Sequence, residues 1–149
     1  MIKRKILPPT YFLIFLISTI ALHFILPIKK FINTPYNYIG ILLIAAGISL
    51  NIWAEHLFKN KQTTVKPFEK SNCLIEKGPF AFCRNPMYLG MTIILLGASI
   101  TLGSVTPFII TITFAFIINF LFILPEEKSL EETFGKDFIE YKKRIRRWL

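Results

Sequence analysis

The sequence predicts an all-α, integral membrane bundle of about four transmembrane helices, with a helical hairpin and a cytosolic C-terminal amphipathic helix. Three observations carry this prediction. Hydrophobic residues make up 53% of a 149-residue chain with mean hydropathy +0.52, more apolar surface than one soluble domain of that length can bury. The apolar residues fall into four long runs. The net charge of +9 clusters beside those runs, as membrane topology and anionic lipid require, so nucleic acid is not the expected partner.

The first run, residues 11–26, is broken only by Ser18, Thr19 and His23. The stretch leading into it, MIKRKILPPTYFLIF, has the basic head of a signal peptide, but no small-residue cleavage site follows, so it reads as a retained span. Residues 38–58 form the second run, about one bilayer thick as a helix. Residues 87–102 and 105–124 form the third and fourth, with only Gly103 and Ser104 between them, which demands a tight hairpin. Sixteen of the 18 Lys and Arg then fall on one side of a four-span arrangement, placing both termini and the long second loop in the cytosol. Cys73 and Cys83 lie on that side, where a disulfide is not expected. No Cys/His group has zinc spacing. The whole chain, 1–149, reads as one domain.

Beyond the fourth span, Glu126, Glu127, Leu130 and Phe134 share one helical stripe that Gly135 can end. Residues 137–148 then read as a basic amphipathic helix, with Phe138, Tyr141, Ile145 and Trp148 on its apolar face, suited to the headgroup layer.

Two polar features stand out on the cytosolic side: Arg84-Asn85-Pro86-Met87-Tyr88 at the entrance of the third span, and Glu126-Glu127 at the exit of the fourth. A tight hairpin of similar-length spans makes these two ends neighbours. Pro86 suits a first helical position, and the free N–H groups behind it can receive an anion. Each residue also has an ordinary reading: Arg84 snorkels to headgroups, Tyr88 is an interface aromatic, and the glutamates favour a helix N-terminus. The joint placement favours a site.

The run GPFAFCRNPMYLG, the following hairpin, the Glu126-Glu127 pair and the Phe134, Gly135, Phe138, Tyr141 series resemble the isoprenylcysteine carboxyl methyltransferase and phospholipid methyltransferase superfamily, small integral membrane enzymes. The resemblance covers the C-terminal half and puts the cofactor-binding part at 63–149. It implies S-adenosylmethionine as cofactor. Asn72, Cys73, Leu74 and Ile75 correspond to a cofactor-contacting stretch, Phe80 to an aromatic against the cofactor, and Asn85, Pro86, Met87 and Tyr88 to its next wall. Glu126 would take the amino group or ribose, with Glu127 in support. Arg84 and Glu127 are the catalytic candidates, for orienting the acceptor and assisting its deprotonation. A cationic sulfonium with an ammonium group suits carboxylates and aromatic faces.

The acceptor implied is lipid-like or prenylated, methylated on a carboxylate as in the isoprenylcysteine enzymes, or on a phospholipid amine. Those enzymes place a substrate-contacting arginine where this chain has Phe122; Arg84 or Arg144 would have to replace it. Glu55 and Asn119 are further candidates for the acceptor side, although capping and helix-to-helix hydrogen bonding explain them equally. His23 reads as a packing or interface residue. The resemblance implies a bacterial inner membrane. A competing function, a small transporter or membrane interaction protein, is weakened because the third and fourth spans contain no Asp, Glu, Lys, Arg or His.

Overall fold

The computed structural model describes residues 7–61 and 73–149. They fold as α1 (Pro8–Ile25), α2 (Tyr38–Asn60), a short 3₁₀ turn (Gly78–Ala81), α3 (Pro86–Leu102), α4 (Val105–Ile118), a π turn (Asn119–Ile123), α5 (Leu124–Phe134) and α6 (Lys136–Arg144). The four apolar runs all became helices. Among the described residues, three helices are long and apolar enough to cross a membrane: α1, α2 and the continuous rod Val105–Phe134. α3, with 17 residues, is a shorter apolar helix. The rod has 30 residues, about 45 Å at 1.5 Å per residue, longer than the roughly 30 Å of a bilayer core. Apolar side chains such as Ile17 on α1, Leu42 on α2 and Phe116 on α4 face outward, as a membrane bundle requires.

Small residues join α2 to α3. The buried positions of α2 are Gly40, Gly47 and Ala54, spaced by sevens, and Gly90 and Gly97 of α3 are spaced likewise. A Cβ on Gly47 would lie 2.6 Å from the Gly90 carbonyl oxygen, and one on Gly97 would lie 2.5 Å from that of Gly40. The pairs 40/97 and 47/90 define an antiparallel contact of backbone on backbone. Lipid tails are as apolar as side chains, so this close packing holds the helices where a hydrophobic driving force is missing.

Large residues join α1 and α3 to the rod. Phe114, Ile118, Phe122 and Ile123 are fully buried with Leu95, Met91 and Tyr88, and Tyr11, Phe12, Phe15 and Leu16 pack against them. Tyr11 meets Phe122 edge-on at 5.4 Å, and Phe12 meets Phe114 edge-on at 6.3 Å. The Ser99 and Thr111 hydroxyls, 3.0 Å apart, link α3 to α4 inside the apolar layer.

At the hairpin tip Gly103 takes φ 77°, where a Cβ would strike the Ile32 carbonyl, so glycine is required. Its own carbonyl accepts N–H groups of Phe31 and Ile32 at 2.9 and 3.2 Å. His23 Nδ1 lies 2.7 Å from Ser104 Oγ, in keeping with its reading as a packing residue.

The C-terminal part differs from the sequence expectation. The amphipathic helix ends at Arg144 rather than reaching Trp148, and Ile145 is extended with φ −117° and ψ 132°. Its apolar face is covered by protein: Phe138 and Tyr141 are buried, and the Tyr141 hydroxyl donates to the Phe80 carbonyl at 2.7 Å. The chain leaves the helix because its next backbone carbonyls bond to the entrance of α3 instead.

Candidate functional site

The approach to α3 is built by turns. Pro79 starts the 3₁₀ turn, and its carbonyl accepts the N–H of Phe82 and Cys83 at 3.2 and 3.1 Å. Asn85 precedes a proline, which disfavours helical geometry; it sits at φ −127°, ψ 57° as the N-cap of α3. Its N–H donates to Cys83 Sγ at 3.3 Å, and its side-chain amide donates to the Arg147 carbonyl at 3.1 Å. Burial pushes the Cys83 thiol up from its ordinary value, opposed less strongly by the Asn85 N–H and the Arg84 charge.

The hairpin brings this lip to the exit of the rod, as the matched span lengths predict. The Tyr88 hydroxyl donates to Glu126 Oε1 at 2.7 Å, across 38 residues of chain. Arg84 Nη1 stands 3.2 Å from Glu127 Oε1, with the two side chains only 8% and 6% exposed. That approach is not aligned as a hydrogen bond, and Arg84 Nε and Nη1 have no acceptor among the described residues. Arg147 makes the aligned contact: its Nε and Nη2 donate to the two Glu127 oxygens at 3.0 and 2.8 Å, a bidentate fork. The paired carboxylate keeps the Arg147 guanidinium firmly charged.

The two adjacent glutamates thus differ sharply. Glu127 is gripped by two guanidiniums. Glu126 has a neutral phenol and no ion-pair partner among the described residues.

A second wall stands beside the lip. Ala54, Ile75 and Phe80 form a buried cluster against which Cys73 and Met87 pack. Phe80 also meets Phe58 edge-on at 5.4 Å. Four of the sequence-derived cofactor residues, Cys73, Ile75, Phe80 and Met87, therefore converge in space. Pro86 is fully buried at the start of α3. Leu74 is half-buried between Cys73 and Ile75. Asn72 lies outside the described residues.

The acceptor candidates are more dispersed. Glu55 pairs with Lys59 at 2.7 Å along α2. Arg144 pairs with Glu76 at 2.6 Å and is largely exposed. Asn119 opens the π turn, and its buried Oδ1 has no hydrogen-bond partner among the described residues. A π turn adds about one residue to the helix, so the α-helical spacing that would align Asn119 with Glu126 does not hold across it. An open cavity of about 380 Å³ lies beside Glu127, bordered by Leu124, Lys128, Glu132, Lys142 and Arg147.

Sequence reasoning passed over Glu76 and missed Arg147 and Trp148, which it treated as general basic or interfacial residues. The available signal was a second carboxylate needing its own cation at the end of an apolar span.

The fold and this end of it define a helical membrane protein whose polar chemistry gathers where one hairpin opens. Residues 36–137 match the model of the phospholipid methyltransferase family, and the chain belongs to that family. The family assigns it methyltransferase activity in the membrane. The chain is also 40% identical over 63 residues to an uncharacterized protein from Haemophilus influenzae, a match covering 42% of this chain and all of that protein.

Proposed function

We propose that the chain transfers a methyl group from S-adenosylmethionine to a lipid-like acceptor, at the cytosolic face of the membrane. The observation that carries this is Glu126: a largely enclosed carboxylate, oriented by the Tyr88 phenol, with no cation to balance it among the described residues. A buried charge without a partner is costly, so a cationic ligand is the natural complement. The residues therefore fit the cofactor, whose sulfonium would supply an already activated methyl group. Glu126 would hold its ammonium or ribose, and Tyr88 would fix the carboxylate. Cys73, Leu74, Ile75, Phe80 and Met87 would form the apolar wall, with Asn85 and Pro86 at its rim. Arg84 and Glu127 would hold the lip of the site in register with the rod and face the acceptor.

On the acceptor side, an amine-bearing phospholipid headgroup is favoured over a prenylated carboxylate. Phe122 is fully buried between Tyr11 and Tyr88 and offers no cation to a carboxylate. The cavity beside Glu127 carries both signs, Lys128 and Lys142 with Glu131 and Glu132, which suits a zwitterion. Glu55, Asn119 and Arg144 would line the approach.

The test is calorimetric titration of S-adenosylmethionine into the purified protein in lipid nanodiscs, followed by mass spectrometry of membrane lipids incubated with labelled cofactor. Label on an amine headgroup is the expected result. Failure to bind the cofactor in any lipid overturns the reading. Solute flux through reconstituted liposomes without cofactor binding would favour a transporter.

A further inference from the structure

We propose that Arg147 is a positioning residue of this site, carried on a strap, residues 145–148, that completes the site from outside the family-matched segment. The inference rests on the proposed function for its ligand. The family match ends at residue 137, and the strap lies beyond it.

The strap bonds to both ends of the hairpin at once. Its backbone holds the lip: the Arg84 N–H donates to the Arg146 carbonyl at 3.0 Å, and the Asn85 amide donates to the Arg147 carbonyl at 3.1 Å. Cys83 Sγ lies 3.4 Å from that same carbonyl. Its side chain holds the rod through the fork on Glu127. Trp148 packs on the core cluster that contains Tyr88. One short segment thereby fixes residues 83–85 against residue 127, and so sets the spacing in which Tyr88 meets Glu126.

Two arginines compete for the credit of orienting Glu127, and geometry separates them. Arg84 is the more deeply buried, yet its approach to Glu127 is unaligned and its Nε has no acceptor among the described residues. Arg147 supplies both aligned bonds. A planar guanidinium forked onto a carboxylate fixes its rotation, which a point charge cannot do. With Glu127 fixed, the first turn of α5 is fixed, and Glu126 is directed at Tyr88. An ordinary surface ion pair would do none of this, but Glu127 is 6% exposed and lies under the strap.

The test compares cofactor binding by wild type, Arg147→Lys and Arg147→Ala in nanodiscs, with melting recorded without ligand. Arg147→Ala should bind S-adenosylmethionine at least about tenfold more weakly. Arg147→Lys should be several-fold weaker than wild type despite keeping the charge. Methylguanidinium should restore part of the affinity of Arg147→Ala and leave wild type unchanged, a response that a merely structural role would not give. A folded Arg147→Ala that binds within about twofold of wild type, or that is untouched by methylguanidinium, overturns the inference. Should Arg147→Ala not fold, Arg147→Lys decides: affinity equal to wild type overturns it. A wild type that binds no cofactor overturns the proposed function instead.

Discussion

Glu126 and Glu127 are adjacent in sequence, and their surroundings give them opposite weights in stability. Glu127→Gln removes the charge from a carboxylate 3.2 Å from Arg84 and 3.0 and 2.8 Å from Arg147. Arg84 and Glu127 are 8% and 6% exposed, so water screens that pair little; Arg147 is 32% exposed and counts for less. Removing one member of a buried pair costs about 3–5 kcal/mol. The partial exposure of Arg147 and the acceptor kept by the amide place the expected loss near about 3 kcal/mol. For a chain of this length that lowers the unfolding midpoint by roughly 6–12 °C. Glu126→Gln separates no ion pair among the described residues and keeps an acceptor for Tyr88, so its change stays within about 1 kcal/mol. Both variants are compared with wild type in nanodiscs without ligand, by the fluorescence of Trp53 and Trp148 on heating. Equal falls for the two variants, or no fall for Glu127→Gln, would refute the division of labour.

Gly47→Val should force α2 from α3, because its Cβ starts 2.6 Å from the Gly90 carbonyl, and lose about 3 kcal/mol by the same midpoint assay. Gly135→Ala meets nothing within 4 Å but puts a side chain at φ 52°, ψ −119°, a conformation that favours glycine, so it should lose about 1–3 kcal/mol. Tyr141→Phe strands the buried Phe80 carbonyl and should lose about 1–2 kcal/mol. Raising pH should not expose a reactive thiolate at Cys83, whose pKa lies above the ordinary thiol value, until well after Cys73 has reacted; peptide mapping after iodoacetamide at pH 8–9, about the usual thiol pKa, would show label on half-exposed Cys73 first.

The helices and the hairpin were legible because both follow from local pattern. Long apolar runs mark helices, and two residues between spans leave no choice but a hairpin. From that, the Arg84–Tyr88 lip and the Glu126-Glu127 pair become neighbours by length matching; which side chain meets which does not follow. The glycine seam was legible too, at residues 40, 47, 90 and 97, but a seven-residue recurrence of small residues is easily passed over among many apolar ones. The strap was not legible. Ile145, Arg146, Arg147 and Trp148 continue the helical periodicity of Phe138 and Tyr141, and only the tertiary bonds to Arg84 and Asn85 break it. Sequence pattern reports which face is apolar; it does not report which acceptor competes for the backbone.

Which glutamate turns inward is decided upstream of both. Buried positions along the rod run Thr106, Pro107, Thr111, Phe114 and Ile118, then Phe122 and Ile123 together, then Glu127. From Pro107 the steps are three or four residues, with Phe122 and Ile123 buried side by side inside the π turn. A regular helix stepping four residues on from Phe122 would turn Glu126 toward the core; the same step from Ile123 reaches Glu127. Pro125 explains the wider turn: it has no N–H to give to residue 121, and its ring crowds that carbonyl. The Leu124 N–H instead reaches back five residues to Asn119. One proline thus carries the burial stripe forward by about a residue. Glu127 then enters the core between Arg84 and Arg147, while Glu126 is left at the border facing Tyr88, without a cation of its own among the described residues.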